Sequence, residues 1–293
     1  MIAQQTQPIL ISRRRLLFTP LLLSLDVFAP ERALASEVTR ELVAQVERDE
    51  GLGPPLTLGI ARVVLRPGVS ALAATPSGAR MIVVESGVLA VSSTSHNDET
   101  FTSAELAIFV PAPEDGDELF VPAGTTVTFG SMGVSQVRNP GGRSVVALDV
   151  AVFEEDPRPI SRAFTTDDGI SFQLLASANA AVAPGGPISL ILERVQLGAQ
   201  VPLPIDLSRG LTLMYIEAGA IELRPTVGDV YAARAAASTP YSMPGALQPI
   251  TIGETRGITA GGVVYVPMGA ESGVINLGPR SAEILALAVR EAV

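Results

Sequence analysis

A repeat at an offset of 132 residues limits this chain more than any other feature. Leu42-Val43-Ala44, Pro55-Leu56-Thr57-Leu58 and Arg62-Val63-Val64-Leu65 are matched by Leu174-Leu175-Ala176, Pro187-Ile188-Ser189-Leu190 and Arg194-Val195-Gln196-Leu197. Val83-Val84-Glu85-Ser86-Gly87-Val88-Leu89 is matched by Tyr215-Ile216-Glu217-Ala218-Gly219-Ala220-Ile221 at the same spacing. A repeat this long implies two copies of one domain and not a stacked solenoid. The 293 residues suffice for two domains of ordinary size.

Within each copy the residues predict short strands. Ile60 to Leu65 and Leu190 to Leu197 are rich in branched side chains, which suit a pleated, half-buried surface. Met81 to Val84 passes through Glu85-Ser86-Gly87 into Val88 to Val91 and reads as a hairpin with glycine at the turn. Ser144 to Phe153 and Ala282 to Val289 read as apolar closing strands. Ser36 to about Glu50 is expected to be a strand feeding the first domain, with a helix over Glu37 to Glu50 as the rival reading. A proline-rich polar stretch, Glu154-Glu155-Asp156-Pro157-Arg158-Pro159, marks the break. Many short strands with regular Gly and Pro punctuation indicate a barrel or two-sheet roll.

A turn pattern also occurs twice. Gly116 to Gly124 reads G-x5-P-x-G through Pro122, and Gly261 to Gly269 reads the same through Pro267. Each is followed by a β-rich run that passes an Asn-Pro-Gly or Asn-Leu-Gly turn. The pattern resembles the second signature of the cupin family, and two copies resemble a bicupin. The resemblance implies an all-β fold of two tandem cupin-type barrels (jelly-roll, or double-stranded β-helix) after an N-terminal signal peptide. The expected organisation is a signal over 1–35, a first barrel over 36–157 and a second over 158–293.

Cupins usually hold a metal through histidines, and this chain has one histidine. Counting the family's first signature between Gly68 and Gly87 places Ala74 and Pro76 at the two histidine positions and Arg80 at the glutamate position. Counting on from Gly124 places Val127 at the third histidine. In the second copy Thr212 falls at the glutamate position, Asp206 and Ser208 near the histidines, and Ser272 at the third. A catalytic metal centre needs three or more His, Asp or Glu side chains converging on one point, so no metal and no cofactor are expected. Arg80 is expected to point into the first barrel. There it either holds an anionic ligand bidentately or pairs with an internal acid. Arg80, Ala74, Pro76, Val127 and Thr212 therefore make up the candidate ligand pocket.

Other chemistry is restricted by composition. There is no cysteine, hence no disulfide framework and no thiolate. All 20 basic residues are arginine, which removes lysine Schiff-base catalysis. No glycine-rich stretch sits between a strand and a helix to cradle phosphate. His96 lies in a polar loop beside Ser95 and Asp98, and loop neighbours rarely hold triad geometry.

Ser12-Arg13-Arg14-Arg15-Leu16-Leu17 resembles a twin-arginine export signal. The apolar run from Leu16 to Leu25 is too short to span a bilayer, and Ala33-Leu34-Ala35 supplies a cleavage site. An exported protein is expected, with no stable membrane span once the signal is removed. Beyond residue 35 the chain carries 16 basic and 28 acidic residues, a net charge of −12. A surface this acidic repels a polyphosphate backbone, so nucleic acid is not an expected partner.

Three function classes follow. The first is a metal-free bicupin with a non-catalytic role, binding a small apolar or anionic ligand or serving as a structural or interaction scaffold. The second is a cupin-type enzyme of the dioxygenase, decarboxylase or isomerase class using a site without histidine. Glu85, Glu217 and Arg80 are its nearest acid–base groups, the two glutamates facing outward by strand alternation. The third is a docking module that forms a homodimer through strand edges. Two departures from the family spacing stand out: an extra loop around Ser131-Met132-Gly133, and a long polar insertion from Arg224 to Ala260.

Overall fold

The computed structural model describes residues 37–49, 51–74, 78–93, 118–129, 134–154, 169–206, 210–234 and 245–292. The signal, Pro76, His96, Gly116, Ser131 to Gly133, the break after Glu154 and Ser208 lie outside them. Among the described residues the fold is all-β. The first repeat forms β1 (Val38–Arg48), β2 (Leu56–Leu65), β3 (Ser70–Ala74), β4 (Gly78–Ser86), β5 (Val88–Ser93), β6 (Leu119–Pro122), β7 (Thr126–Phe129), β8 (Val134–Arg138) and β9 (Val145–Glu154). The second forms β10 (Ile170–Ala180), β11 (Ile188–Leu197), β12 (Pro202–Asp206), β13 (Gly210–Ala218), β14 (Ala220–Val227), β15 (Val230–Ala233), β16 (Gln248–Ile250), β17 (Arg256–Thr259), β18 (Val263–Val266), β19 (Glu271–Asn276) and β20 (Ala282–Glu291).

The strands make two sandwiches, each of a larger and a smaller sheet. The first sandwich has β10-β2-β9-β4-β7 over β3-β8-β5-β6. The second has β1-β11-β20-β13-β18-β15-β16 over β12-β19-β14-β17. The first strands are therefore exchanged. β1 pairs antiparallel with β11, and β10 pairs with β2 in the matching register, with a bulge at Leu42/Ala44 in one and Leu174/Ala176 in the other. Within the stretch expected to be a strand, Val38–Arg48 is one, but it feeds the second sandwich and not the first. Strand propensity is local, whereas the choice of sheet is set by which apolar face the strand must cover.

That face belongs to both repeats. On β2, Leu56, Leu58 and Ile60 join one buried cluster, while Ala61, Val63 and Leu65 join another. The first cluster also takes Met81 and Val83 from β4, Leu190 and Leu192 from β11, and Leu211 and Leu213 from β13. It lies between the two sandwiches. The second cluster fills the first sandwich, and a third, including Met214, Ile216 and Ile284, fills the second. Both faces of the large sheets are buried, so their central strands read as continuous apolar runs without a clean alternation.

The hairpin expected at Gly87 is a corner. β4 pairs with β7 and β9 in one sheet, and β5 pairs with β6 and β8 in the other. Gly87 and Gly219 make this crossing with φ of 86° and 81°. A Cβ at Gly219 would stand 2.9 Å from the Ala282 Cα, and one at Gly87 would stand 3.0 Å from Val145 Cγ2. Only glycine meets both demands.

The duplication continues past the corner with a changed spacing. β1 to β5 match β10 to β14 at an offset of 132, while β6 to β9 match β17 to β20 at 137. The turn at Gly124 therefore corresponds to Gly261 and not to Gly269. Gly124 N donates to Val84 O and Gly261 N to Ile216 O, each at 2.8 Å. The two G-x5-P-x-G strings are thus similar sequences at different places in the two folds. The stretch from Arg224 to Ala260, expected as an insertion, contributes β15 and β16 to the large sheet and β17 to the small one. Asn139 and Asn276 occupy equivalent buried turns. Each side-chain amide donates to the carbonyls of Leu65 and Arg143, or of Leu197 and Arg280, at 2.6–2.9 Å.

A fragment of residues 36–157 lacks β10 and exposes its share of the common core. Its expected behaviour is loss of a cooperative thermal transition, read by calorimetry against the whole chain. A fragment that melts cooperatively would contradict the shared core. Burial and the neighbouring Tyr231 hold the Tyr265 hydroxyl up at about 12. An acid whose pKa rises on folding stabilises below its unfolded pKa and loses that contribution above it. Unfolding temperature is therefore expected to fall between pH 10 and 12, and to fall less in Tyr265→Phe.

Candidate functional site

Arg80 lies on β4 on the same face as Ile82 and Val84, which belong to the core of the first sandwich. Its side chain is 0% exposed and that of Asp149 on β9 is 1% exposed. Nε donates to Asp149 Oδ1 at 2.7 Å and Nη2 to Oδ2 at 2.8 Å. The β4–β9 register sets Asp149 opposite Ile82, so the pair crosses the sheet diagonally within that core. The guanidinium also lies 6.0 Å from the Phe129 ring centre. Of the two readings of Arg80, the internal acid is the one the structure contains. The sequence signal for the partner is Asp149 itself, a lone carboxylate among the apolar residues of Val145 to Phe153.

Val127 is fully buried in the same core, opposite Ile82 on β7. Ala74 ends β3 opposite Val134. Thr212 is buried on β13 of the second sandwich, at the place equivalent to Arg80. The structure thus brings Arg80 and Val127 together and holds Thr212 apart. Ala286 occupies the place equivalent to Asp149, opposite Met214. One copy carries a buried ion pair where the other carries Thr212 and Ala286.

The offset of 137 makes Ser135, and not Val127, the counterpart of Ser272. Ser135 lies opposite Ala73 and Ser272 opposite Ile205, and both serines are buried. Serine, threonine, alanine and an ion-paired arginine are not the donor set of a cupin-type metal centre. Among the described residues no three His, Asp or Glu side chains converge. The interior of the first sandwich keeps a cavity of about 10 Å³ beside Ile82, Leu89, Val137 and Asp149, at most one water's worth of space.

A second charged cluster lies between the repeats. On β2, β4, β11 and β13 the face that enters the common core ends in Arg62, Glu85, Arg194 and Glu217. Arg62 bonds Glu85 at 3.0 Å and Glu217 at 3.1 Å, and Arg194 bonds Glu217 at 2.7 Å and Glu85 at 3.1 Å. The two glutamates do face away from their own sandwiches, as alternation predicts, but that side is occupied by the other repeat. Burial lowers the Arg62 pKa, yet hydrogen bonds and charge from Glu85 and Glu217 outweigh it and leave the guanidinium above its ordinary value. For Arg194 the hydrogen bond it donates to Glu217 leads and the result is again upward. A raised arginine keeps its contribution until strongly alkaline pH, so these arginines stay charged throughout the ordinary range.

No family model matches the chain, and no curated protein matches it. Solved structures similar to it include a cupin 2 conserved barrel domain protein from Leptotrichia buccalis, 10% identical over 86% of this chain and 91% of that one, with a TM-score of 0.36. Another is the oxalate decarboxylase of Lactobacillus farciminis in its formate complex, at 11% identity, 87% and 86% coverage and a TM-score of 0.42. A third is the recombinant pro-11S globulin of pumpkin, at 13%, 86% and 85%, with a TM-score of 0.42.

Removing one partner of a buried ion pair strands the other and costs about 3–5 kcal/mol, whereas replacing both with apolar groups is often neutral. Arg80→Met alone is expected to lose about that much in urea unfolding. Arg80→Met with Asp149→Leu is expected to recover most of it. Equal losses in the single and double variants would show that the pair is not what fills this core.

Proposed function

We propose that the chain is an exported, metal-free bicupin with a non-catalytic role, a scaffold whose interactions take place outside the barrel interiors. The observation that carries this reading is the bidentate Arg80–Asp149 pair. It fills the interior at the position where the family resemblance expects a glutamate ligand. The duplicated order of strands, the exchanged first strands and the Asn139 and Asn276 turns support the two-barrel part of the reading. The export part rests on Arg13-Arg14-Arg15 and the Ala33-Leu34-Ala35 site. The acidic mature chain suits a soluble protein without a nucleic-acid partner, and a homodimer through strand edges remains part of the proposal.

The test is metal analysis of the mature protein purified from its own host. The expected result is less than about one tenth of an equivalent of Fe, Mn, Ni or Zn per chain after dialysis, judged against the near-stoichiometric occupancy of a three-ligand site. About one equivalent retained would overturn the metal-free reading. Native mass spectrometry of the same sample reads the oligomeric state.

A further inference from the structure

Beside the charged cluster the two repeats carry different residues at equivalent positions. In the second repeat the position on β13 carries Tyr215, whose ring packs against the common core. Burial raises its phenol pKa, while Arg62 opposes that rise and Glu217, two residues along the same face of β13, adds to it. In the first repeat the equivalent position on β4 is Val83. There a groove of about 230 Å³ stays open, lined by Leu42, Val43, Val83, Leu148, Glu85 and Arg194 among others. Leu42 is 45% exposed, whereas its counterpart Leu174 is 7% exposed. The groove has apolar walls and a charged rim, which suits a ligand with an apolar body and one polar tip. Arg194 and Glu85 are already paired, so the rim offers no unpaired cation for a strongly anionic ligand.

We propose that this groove binds a small planar aromatic molecule of the phenol class, in the place that the Tyr215 ring holds in the second repeat. The second copy supplies the template: equivalent strands, the matching Glu217 and Arg62 beside them, Gln173 where the first repeat has Glu41, and a phenol on the chain at the position equivalent to Val83. This deepens the non-catalytic reading and rests on it only in assigning no reaction to the site. Metal content and phenol binding are separate measurements, so either part can fail alone.

The test titrates p-cresol, the tyrosine side chain as a free molecule, into the folded mature protein by calorimetry and ligand-observed NMR. Saturable binding is expected with a Kd on the order of 1 mM, as suits a ligand of so few atoms. Val83→Tyr fills the groove and is expected to weaken binding at least tenfold. Tyr215→Val opens the second groove and is expected to add a second equivalent of bound p-cresol. If Val83→Tyr does not fold, Leu42→Gln on the exposed rim serves instead, with an expected weakening of several-fold. Absence of saturable binding in the wild type, or unchanged affinity in the folded groove variants, would overturn the proposal.

Discussion

The structure depends on one apolar face shared by two copies of the same fold. Each large sheet buries one side in its own sandwich and the other against its neighbour. Leu58 and Ile60, Met81 and Val83, Leu190 and Leu192, and Leu211 and Leu213 make up much of that contact. Fully burying an aliphatic side chain of this size contributes roughly 1.5–3 kcal/mol, so neither copy can leave the face in water at little cost. The exchange of β1 and β10 follows from the same demand, because each first strand widens the opposite large sheet. The charged cluster forms where the apolar face runs out, and its alternating signs let four half-buried charges meet without repulsion.

Much of this was legible in the sequence. The 132-residue repeat located β1, β2, β4 and β5 with their counterparts β10, β11, β13 and β14, but not β3 and β12, and the branched runs identified the long strands. Ala282 to Val289, expected as a closing strand, is β20. Two things were not legible. A change of spacing from 132 to 137 is invisible when one string, G-x5-P-x-G, happens to recur at a third spacing. Its recurrence points to Gly269, although the hydrogen bonds select Gly261. The sheet that a strand joins is also a non-local choice, and nothing in Val38 to Arg48 distinguishes the near sandwich from the far one.

The site shows the same division. That Arg80 points inward followed from counting along β4. Its partner did not follow, because Asp149 is distant in sequence and its counterpart Ala286 breaks the repeat at that position. Glu85 and Glu217 were correctly assigned to the outer face, but the outer face of one copy is the inner face of the pair. Differences between the copies have therefore proved more informative than their likeness: an ion pair against Thr212 and Ala286, and an open groove against Tyr215.

The central claim is that the two copies form one cooperative unit through the shared face. Native-state hydrogen exchange tests it most directly, because it reads opening free energies strand by strand. The account predicts that the slowest amides of β2, β4, β11 and β13 exchange together, with one free energy equal to that of global unfolding. A repeat whose central strands open at a distinctly lower free energy than those of the other would contradict it.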